Sequence, residues 1–195
     1  PYLSRGLGDV YKRQSEIRAR EQHIDVLVNN AGIGLGTPIK TMKVEDWDRT
    51  MELNTKSPIF LTQALLDMLS KNATLEDPSR VIFISSVAAS IVVPSVLAYS
   101  ASKKMLEHLT TQLALAVSDD FIRVNAIAPG RFYSEMTRRA WQDPNAESFK
   151  AELKKIPAHR YGDENDMAGV AVMLCSRAGA YFHGETLNSV SYTHL

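Results

Sequence analysis

Three short apolar runs, each stopped by a polar or turn dipeptide and separated by helix-length stretches, limit what this 195-residue chain can fold into. Ile24-Asp25-Val26-Leu27-Val28 stops at Asn29-Asn30, Val81-Ile82-Phe83-Ile84 at Ser85-Ser86, and the run 122–127 at Pro129-Gly130. A strand apolar at nearly every position has no face to give to water. These runs therefore read as strands buried on both faces, the pattern of a parallel sheet. Between them, residues 45–53, 57–70 and 96–118 carry apolar residues at helical spacing, with Leu106, Leu109, Leu113 and Val117 on one stripe of the last. Residues 15–22 are compatible with a short helix, 72–80 form a polar loop, and 135–141, 146–155 and 164–176 read as further helices, with 185–188 starting a fourth strand. Strand and helix alternate, which predicts an α/β fold with right-handed crossovers.

Composition narrows the classes. Lysine and arginine (22) balance aspartate and glutamate (22), against the basic surplus of a nucleic-acid binder. One cysteine, Cys175, excludes a disulfide framework, and an apolar helix around it reads as core. The apolar stretch 81–98 is interrupted by Ser85, Ser86, Ser90, Pro94 and Ser95, so no membrane partner is expected. His23, His108, His159, His183 and His194 lack ligand spacing, so no metal site is expected. No Gly-x-Ser-x-Gly elbow supports a hydrolase. Trp47 and Trp141 read as packing residues. With no signal-like opening, a soluble cytoplasmic domain is expected. Residues 1–14 and 189–195 lack periodicity and resemble translated sequencing-adapter DNA, which leaves 15–188 as the domain to interpret.

Chemistry concentrates at the ends of the strand-like runs. Tyr99 and Lys103 stand four residues apart on a helix, which puts both side chains on one face. A free phenol titrates near 10, and a neighbouring cation favours the phenolate, so such a pair can move a proton. Ser85 and Ser86 follow a strand directly, where a hydroxyl can donate to a carbonyl oxygen or merely cap the next turn. Asn29-Asn30-Ala31-Gly32 lets backbone approach a ligand or makes a tight turn. Gly32-Ile33-Gly34-Leu35-Gly36 imitates a dinucleotide fingerprint, yet Thr37-Pro38 follows and no helix opens there, so Gly34 and Gly36 read as loop glycines.

Together these residues resemble the short-chain dehydrogenase/reductase family over Ile24 to Asn188. The family's Tyr-x-x-x-Lys is similar to Tyr99 and Lys103, and its serine thirteen residues earlier selects Ser86 over Ser85. Its Asn-Asn-Ala-Gly turn corresponds to residues 29–32, its helical asparagine to Asn54, and its Pro-Gly to Pro129-Gly130. Arg131-Phe132, Ser134 and Met136-Thr137, with Asp77-Pro78-Ser79-Arg80, resemble the 3-oxoacyl-thioester reductases of the rhamnolipid-synthesis type within that family.

The resemblance implies a Rossmann-like, doubly wound parallel sheet. It implies an NAD(P)-dependent oxidoreductase that moves hydride between nicotinamide and a ketone or secondary alcohol, with NADP ahead of NAD. Tyr99 would exchange the proton, Lys103 would lower the Tyr99 pKa and bind ribose, Ser86 would hold the carbonyl oxygen, and Asn54 would hold a relay water. Asn30 with Ala31 and Gly32 would meet the cofactor ribose, and Pro129, Gly130, Phe132 and Ser134 would border the nicotinamide. It also implies a small-molecule carbonyl or alcohol partner and a homodimer or homotetramer through helices 57–70 and 96–118. The family's first strands and glycine-rich turn have no counterpart here. The chain alone is therefore expected to be an inactive fragment without a tight cofactor site, exposed along the edge beside residues 24–28. Two other readings are a steroid, sugar or polyol dehydrogenase of the same family and a non-catalytic nucleotide-binding regulator on the same scaffold.

Overall fold

The structure, a computed structural model, describes residues 7–191. Residues 1–6 and 192–195, which belong to the two end segments set aside above and include His194, lie outside the described residues. The elements run α1 (Leu7–Arg18), β1 (Val26–Asn29), α2 (Val44–Met51), α3 (Ser57–Ala64), α4 (Leu66–Ser70), β2 (Ser79–Ile84), α5 (Leu97–Ala116), β3 (Ile122–Pro129), α6 (Arg138–Trp141), α7 (Glu147–Leu153), α8 (Glu164–Cys175) and β4 (Thr186–Ser189).

The four strands form one parallel sheet in the order β1-β2-β3-β4. Leu27 stands opposite Val81, Val81 opposite Val124, and Ala126 opposite Thr186. Alternation along β2 divides the core. Val81 and Phe83 join Val124, Leu65, Leu69, Leu106 and Val117 beneath α3, α4 and α5. Ile82 and Ile84 face the other way and pack with Ile127, Leu187, Leu174 and Met167 beneath α8. Helices on both faces make the sheet doubly wound.

The structure corrects several boundaries. β1 is not buried on both faces, since Val26 is 39% and Val28 48% exposed. Both share the face covered by α8, which packs chiefly on β2, β3 and β4. α1 starts at Leu7 rather than at residue 15 and buries Val10. The helix expected over 57–70 breaks at Leu65, whose φ of −114° and ψ of 7° are not helical. Helix is confined to 138–141 within the 135–141 stretch, because Ser134 and Thr137 bond to each other there. β3 continues to Pro129, which pairs with Ser189.

Sequence accounts for two joints. Asp163 caps α8, accepting from the Asn165 and Asp166 N–H groups, while the Asp166 carboxylate accepts from Asp163 N–H. Gly184, at φ +76°, turns the chain into β4 in a conformation only glycine adopts without strain. Beside it, Val124 N–H donates to His183 Nδ1 at 3.2 Å, which requires that nitrogen to be unprotonated. Burial first and Arg123 second hold the His183 pKa below its ordinary value, with the Ala114 carbonyl pulling the other way.

Two outcomes follow. Leu106→Ala, at a site 1% exposed between α5 and the sheet, should lower unfolding free energy in urea by about 2–5 kcal/mol. His183 binds a proton more readily when unfolded than when folded. Its contribution to stability is therefore complete above about pH 6.5 and is lost as pH falls from there through the lower folded value. The urea midpoint should drop more between pH 7.5 and 5.5 in the wild type than in His183→Gln; equal drops would assign the acid sensitivity to other groups.

Candidate active site

α5 sets Tyr99 and Lys103 one turn apart, and the Lys103 ammonium stands 5.7 Å from the centre of the Tyr99 ring. Lys103 is buried, 4% exposed, and donates to the Ile84 carbonyl at 2.6 Å, where β2 ends. Burial lowers its pKa to about 8. Tyr99 moves the other way. Burial pushes its hydroxyl above the ordinary phenol value, and a hydrogen bond from Ser86 offsets part of the rise. The expected lowering of the Tyr99 pKa by Lys103 is thus not what the structure gives. Desolvation is the larger effect, and the ammonium is directed to the Ile84 carbonyl.

The structure shows the capping reading of Ser86. Its backbone is extended at φ −166°, and its hydroxyl oxygen accepts from Ala88 N–H at 3.2 Å, capping a short turn. The same hydroxyl is near enough to Tyr99 to pull its pKa downward against the effect of burial. Ser85 is turned away, donating to Glu107 at 3.0 Å from a position 2% exposed. The two serines thus have different partners.

Asn54 lies in a widened helical turn, Glu52–Lys56, between α2 and α3. Ser57 N–H reaches back to the Glu52 carbonyl there, and Pro58, lacking an N–H, cannot donate to the Asn54 carbonyl four residues before it. The Asn54 side chain is 1% exposed and committed. Its oxygen accepts from Ile33 N–H at 2.8 Å, and its nitrogen donates to the Ile33 carbonyl at 2.9 Å and to Ser102 Oγ at 3.0 Å. A Cβ on Gly32 would come within 3.3 Å of Asn54 Oδ1 and 3.4 Å of Lys103 Nζ. Gly32, Asn54 and Lys103 therefore meet around one point. Asn29 is buried against Thr62, whereas Asn30 and Ala31 are exposed beside a cleft also lined by Val28, Leu53 and Pro58.

The second group of candidates has neighbours of its own. Gly130 N–H bonds to Ser189, and its Cα packs on Val190. Phe132 lies over Gly162, where a Cβ would meet the ring at 2.6 Å. Ser134 exchanges hydrogen bonds with Thr137, and the Thr137 hydroxyl donates to the Phe132 carbonyl at 2.6 Å. No helix opens at Gly36, and the loop glycines lead instead to Thr37. Among the described residues, no three histidine, cysteine, aspartate or glutamate side chains are grouped to hold a metal, and no helix is long and apolar enough to cross a membrane.

The profile of the family described as enoyl-(acyl carrier protein) reductase matches residues 8–189. The chain belongs to the short-chain dehydrogenase/reductase family. The rhamnolipids-biosynthesis 3-oxoacyl-(acyl-carrier-protein) reductase of Pseudomonas aeruginosa is 40% identical to this family member over 181 residues, 92% of this chain and 69% of that protein. Gluconate 5-dehydrogenase of Gluconobacter oxydans is 33% identical over 165 residues, 84% of this chain and 62% of that protein. Among solved structures, the RhlG/NADP active-site complex of Pseudomonas aeruginosa superposes with a TM-score of 0.90 at 36% identity, over 96% of this chain and 73% of that one. The chain thus spans roughly three fifths to three quarters of the length of these relatives.

Ser102 and Thr37 are the site neighbours that sequence reasoning missed in this short-chain dehydrogenase/reductase chain. Ser102 sits inside the Tyr-x-x-x-Lys motif, so its helical phase places it opposite Asn54 once the two helices are known to pack. Thr37 carries no local signal. Asn54→Ala should leave the Ile33 amide and carbonyl without partners, at a cost of about 1–3 kcal/mol in urea unfolding. Faster amide exchange at Ile33 should accompany it; unchanged exchange would show that the clamp is not what holds the loop.

Proposed function

We propose that this chain carries the proton-transfer and carbonyl-holding part of an NAD(P)-dependent oxidoreductase that interconverts a ketone and a secondary alcohol. The observation that carries the reading is the placing of Tyr99 and Lys103 one turn apart on α5, with the Lys103 ammonium 5.7 Å from the centre of the Tyr99 ring and bonded to the Ile84 carbonyl, two residues before Ser86. A phenol and an alcohol converging at the carboxyl end of a parallel strand suit a carbonyl oxygen set between them.

The backbone around Gly32 fits a nicotinamide cofactor, since a side chain there would crowd Asn54 and Lys103. Asn30, Ala31, Gly32, Tyr99 and Lys103 would hold its ribose side, and Pro129, Gly130, Phe132 and Ser134 would border its ring. When bound, it supplies the hydride for the carbonyl carbon or takes one from the alcohol. Ser86 donates to the carbonyl oxygen. Tyr99 gives that oxygen its proton in reduction and takes it back in oxidation. Lys103, titrating near 8, would hold the cofactor ribose beside Tyr99, and the Asn54 backbone carbonyl, which has no i+4 donor, would accept from a relay water. The raised Tyr99 pKa keeps the hydroxyl protonated through neutral pH, which suits it to act as the acid.

The favoured substrate class is a 3-oxoacyl thioester. The likeness to the Pseudomonas reductase supports it, and so does the rim facing the loop glycines, where a Cβ on Gly34 would meet Met136 Sδ at 2.9 Å. An apolar Met136 at that rim suits an acyl chain better than a polyol. The gluconate dehydrogenase relative keeps a sugar or polyol as the second reading. NADP is placed ahead of NAD on the NADP complex of the structural relative. The apolar Phe60, Met105 and Leu115 exposed on α3 and α5 support a homo-oligomer, and a reducing cytoplasm suits the free thiol of Cys175.

Tyr99→Phe in the enzyme that carries this segment should cut kcat for a 3-oxoacyl thioester by about 10²–10⁴, followed at the NADPH absorbance. Unchanged turnover would remove Tyr99 from the proton-transfer step, and absence of turnover in the wild type would leave a nucleotide-binding regulator. In the oxidation direction the rate should climb with pH up to the raised Tyr99 pKa, because only the deprotonated phenol accepts the alcohol proton.

A further inference from the structure

α5 lacks a cap of its own. Val96 precedes it with an apolar side chain that accepts nothing, and the first helical residues are Leu97, Ala98 and Tyr99. The Ala98 N–H is one of the donors that a helix cannot satisfy internally, and Ala98 is fully buried. Its partner comes from 61 residues away, where Thr37 Oγ1 accepts from Ala98 N–H at 3.0 Å. Thr37 is itself fully buried. Its own N–H donates to the Ser95 carbonyl at 2.8 Å, and its backbone bridges in parallel to Val96. A side-chain oxygen accepting from the second N–H of a helix is what a serine or threonine at the cap position does. Here the loop that follows Gly32–Gly36 does it in trans.

We propose that Thr37 is a positioning residue for the reaction assigned to Tyr99: by capping α5 from the loop, it holds the first helical turn, and with it the Tyr99 oxygen, in reach of Ser86. The inference rests on the oxidoreductase reading of this site. The Asn54–Ser102 bond ties the same loop to α5 one turn further along. The two contacts bracket Tyr99. Without the cap, that turn is held from one side only, and the phenol loses its register with the serine. A displacement of this kind costs the proton-transfer step, while the separately packed segment 131–162 is untouched.

The test compares Thr37→Val, which keeps shape and removes the acceptor, with Thr37→Ser, which keeps the acceptor. Turnover is measured in the enzyme that carries this segment, with NADPH and a 3-oxoacyl thioester. Thr37→Val should lower kcat roughly 10- to 100-fold at nearly constant KM. Thr37→Ser should stay within about twofold, and Val96→Ser in the Thr37→Val background, which gives α5 a local cap, should recover most of the loss. Wild-type kcat in Thr37→Val, or equal loss in Thr37→Ser, overturns the proposal. If Thr37→Val does not fold, the double variant decides: recovery of folding and kcat supports the cap, and failure of either overturns it. Amide exchange at Ala98 is read without turnover and should quicken about fivefold in Thr37→Val. Unchanged exchange overturns the cap whatever the activity. Faster exchange in a protein inactive on every carbonyl tried would keep the cap and sink the oxidoreductase reading instead.

Discussion

The bond from the Lys103 ammonium to the Ile84 carbonyl is the contact on which the site depends. β2 ends at Ile84, and Ser86 follows two residues later in extended backbone. A single side chain of α5 therefore ties the helix to the strand end that presents the serine, and Tyr99, one turn earlier, is placed by the same tie. Burying an ammonium is costly, and one charge-assisted hydrogen bond offsets only part of the cost. The remainder shows as a pKa brought down to about 8. The same dry surroundings raise the phenol. Desolvation thus moves both groups toward their neutral forms, and the proton stays on the tyrosine near neutral pH, where it can be donated.

The loop over residues 32–37 is held by a different principle from that of a glycine-rich phosphate loop. Such a loop is fixed by the helix that opens at its end. Here no helix opens, and distant side chains supply the restraint. Asn54 takes both backbone groups of Ile33, and Thr37 reaches the first turn of α5. Glycine is needed at position 32 because the Asn54 amide and the Lys103 ammonium crowd it, rather than for an unusual dihedral. Pro58 adds to the arrangement from outside. By withholding an N–H it widens the turn that carries Asn54, so the side chain can clamp the loop while the carbonyl is left without its i+4 donor.

The sequence carried the strand runs and the strand-end dipeptides plainly, because a parallel sheet buried between helices leaves continuous apolar runs that end where ligands bind. The choice of Ser86 over Ser85 came from spacing, while the structure shows where Ser85 goes, to the Glu107 carboxylate. What could not be read depends on partners far apart in the chain. The exposure of Val26 and Val28 is set by how far α8 extends across the sheet. The direction of the Tyr99 shift is set by burial, which an i, i+4 spacing does not report. The capping role of Thr37 needs α5 to be docked before it exists.

Residues 131–162 form a unit with its own small core of Phe149, Ile156 and Tyr161, apart from the two cores that cover the sheet. Its base is closed where Gly162 N–H donates to the Arg131 carbonyl and Tyr133 N–H to the Gly162 carbonyl, with Phe132 lying across Gly162. A segment pinned at its base and packed on itself can change its outer residues without disturbing α5 or β2. Met136, reaching over Gly34, is one of those outer residues. On the proposed reading, proton transfer and substrate choice would fall to separately stabilised parts of one chain. That separation is a physical basis on which relatives with 3-oxoacyl and gluconate substrates can share the fold.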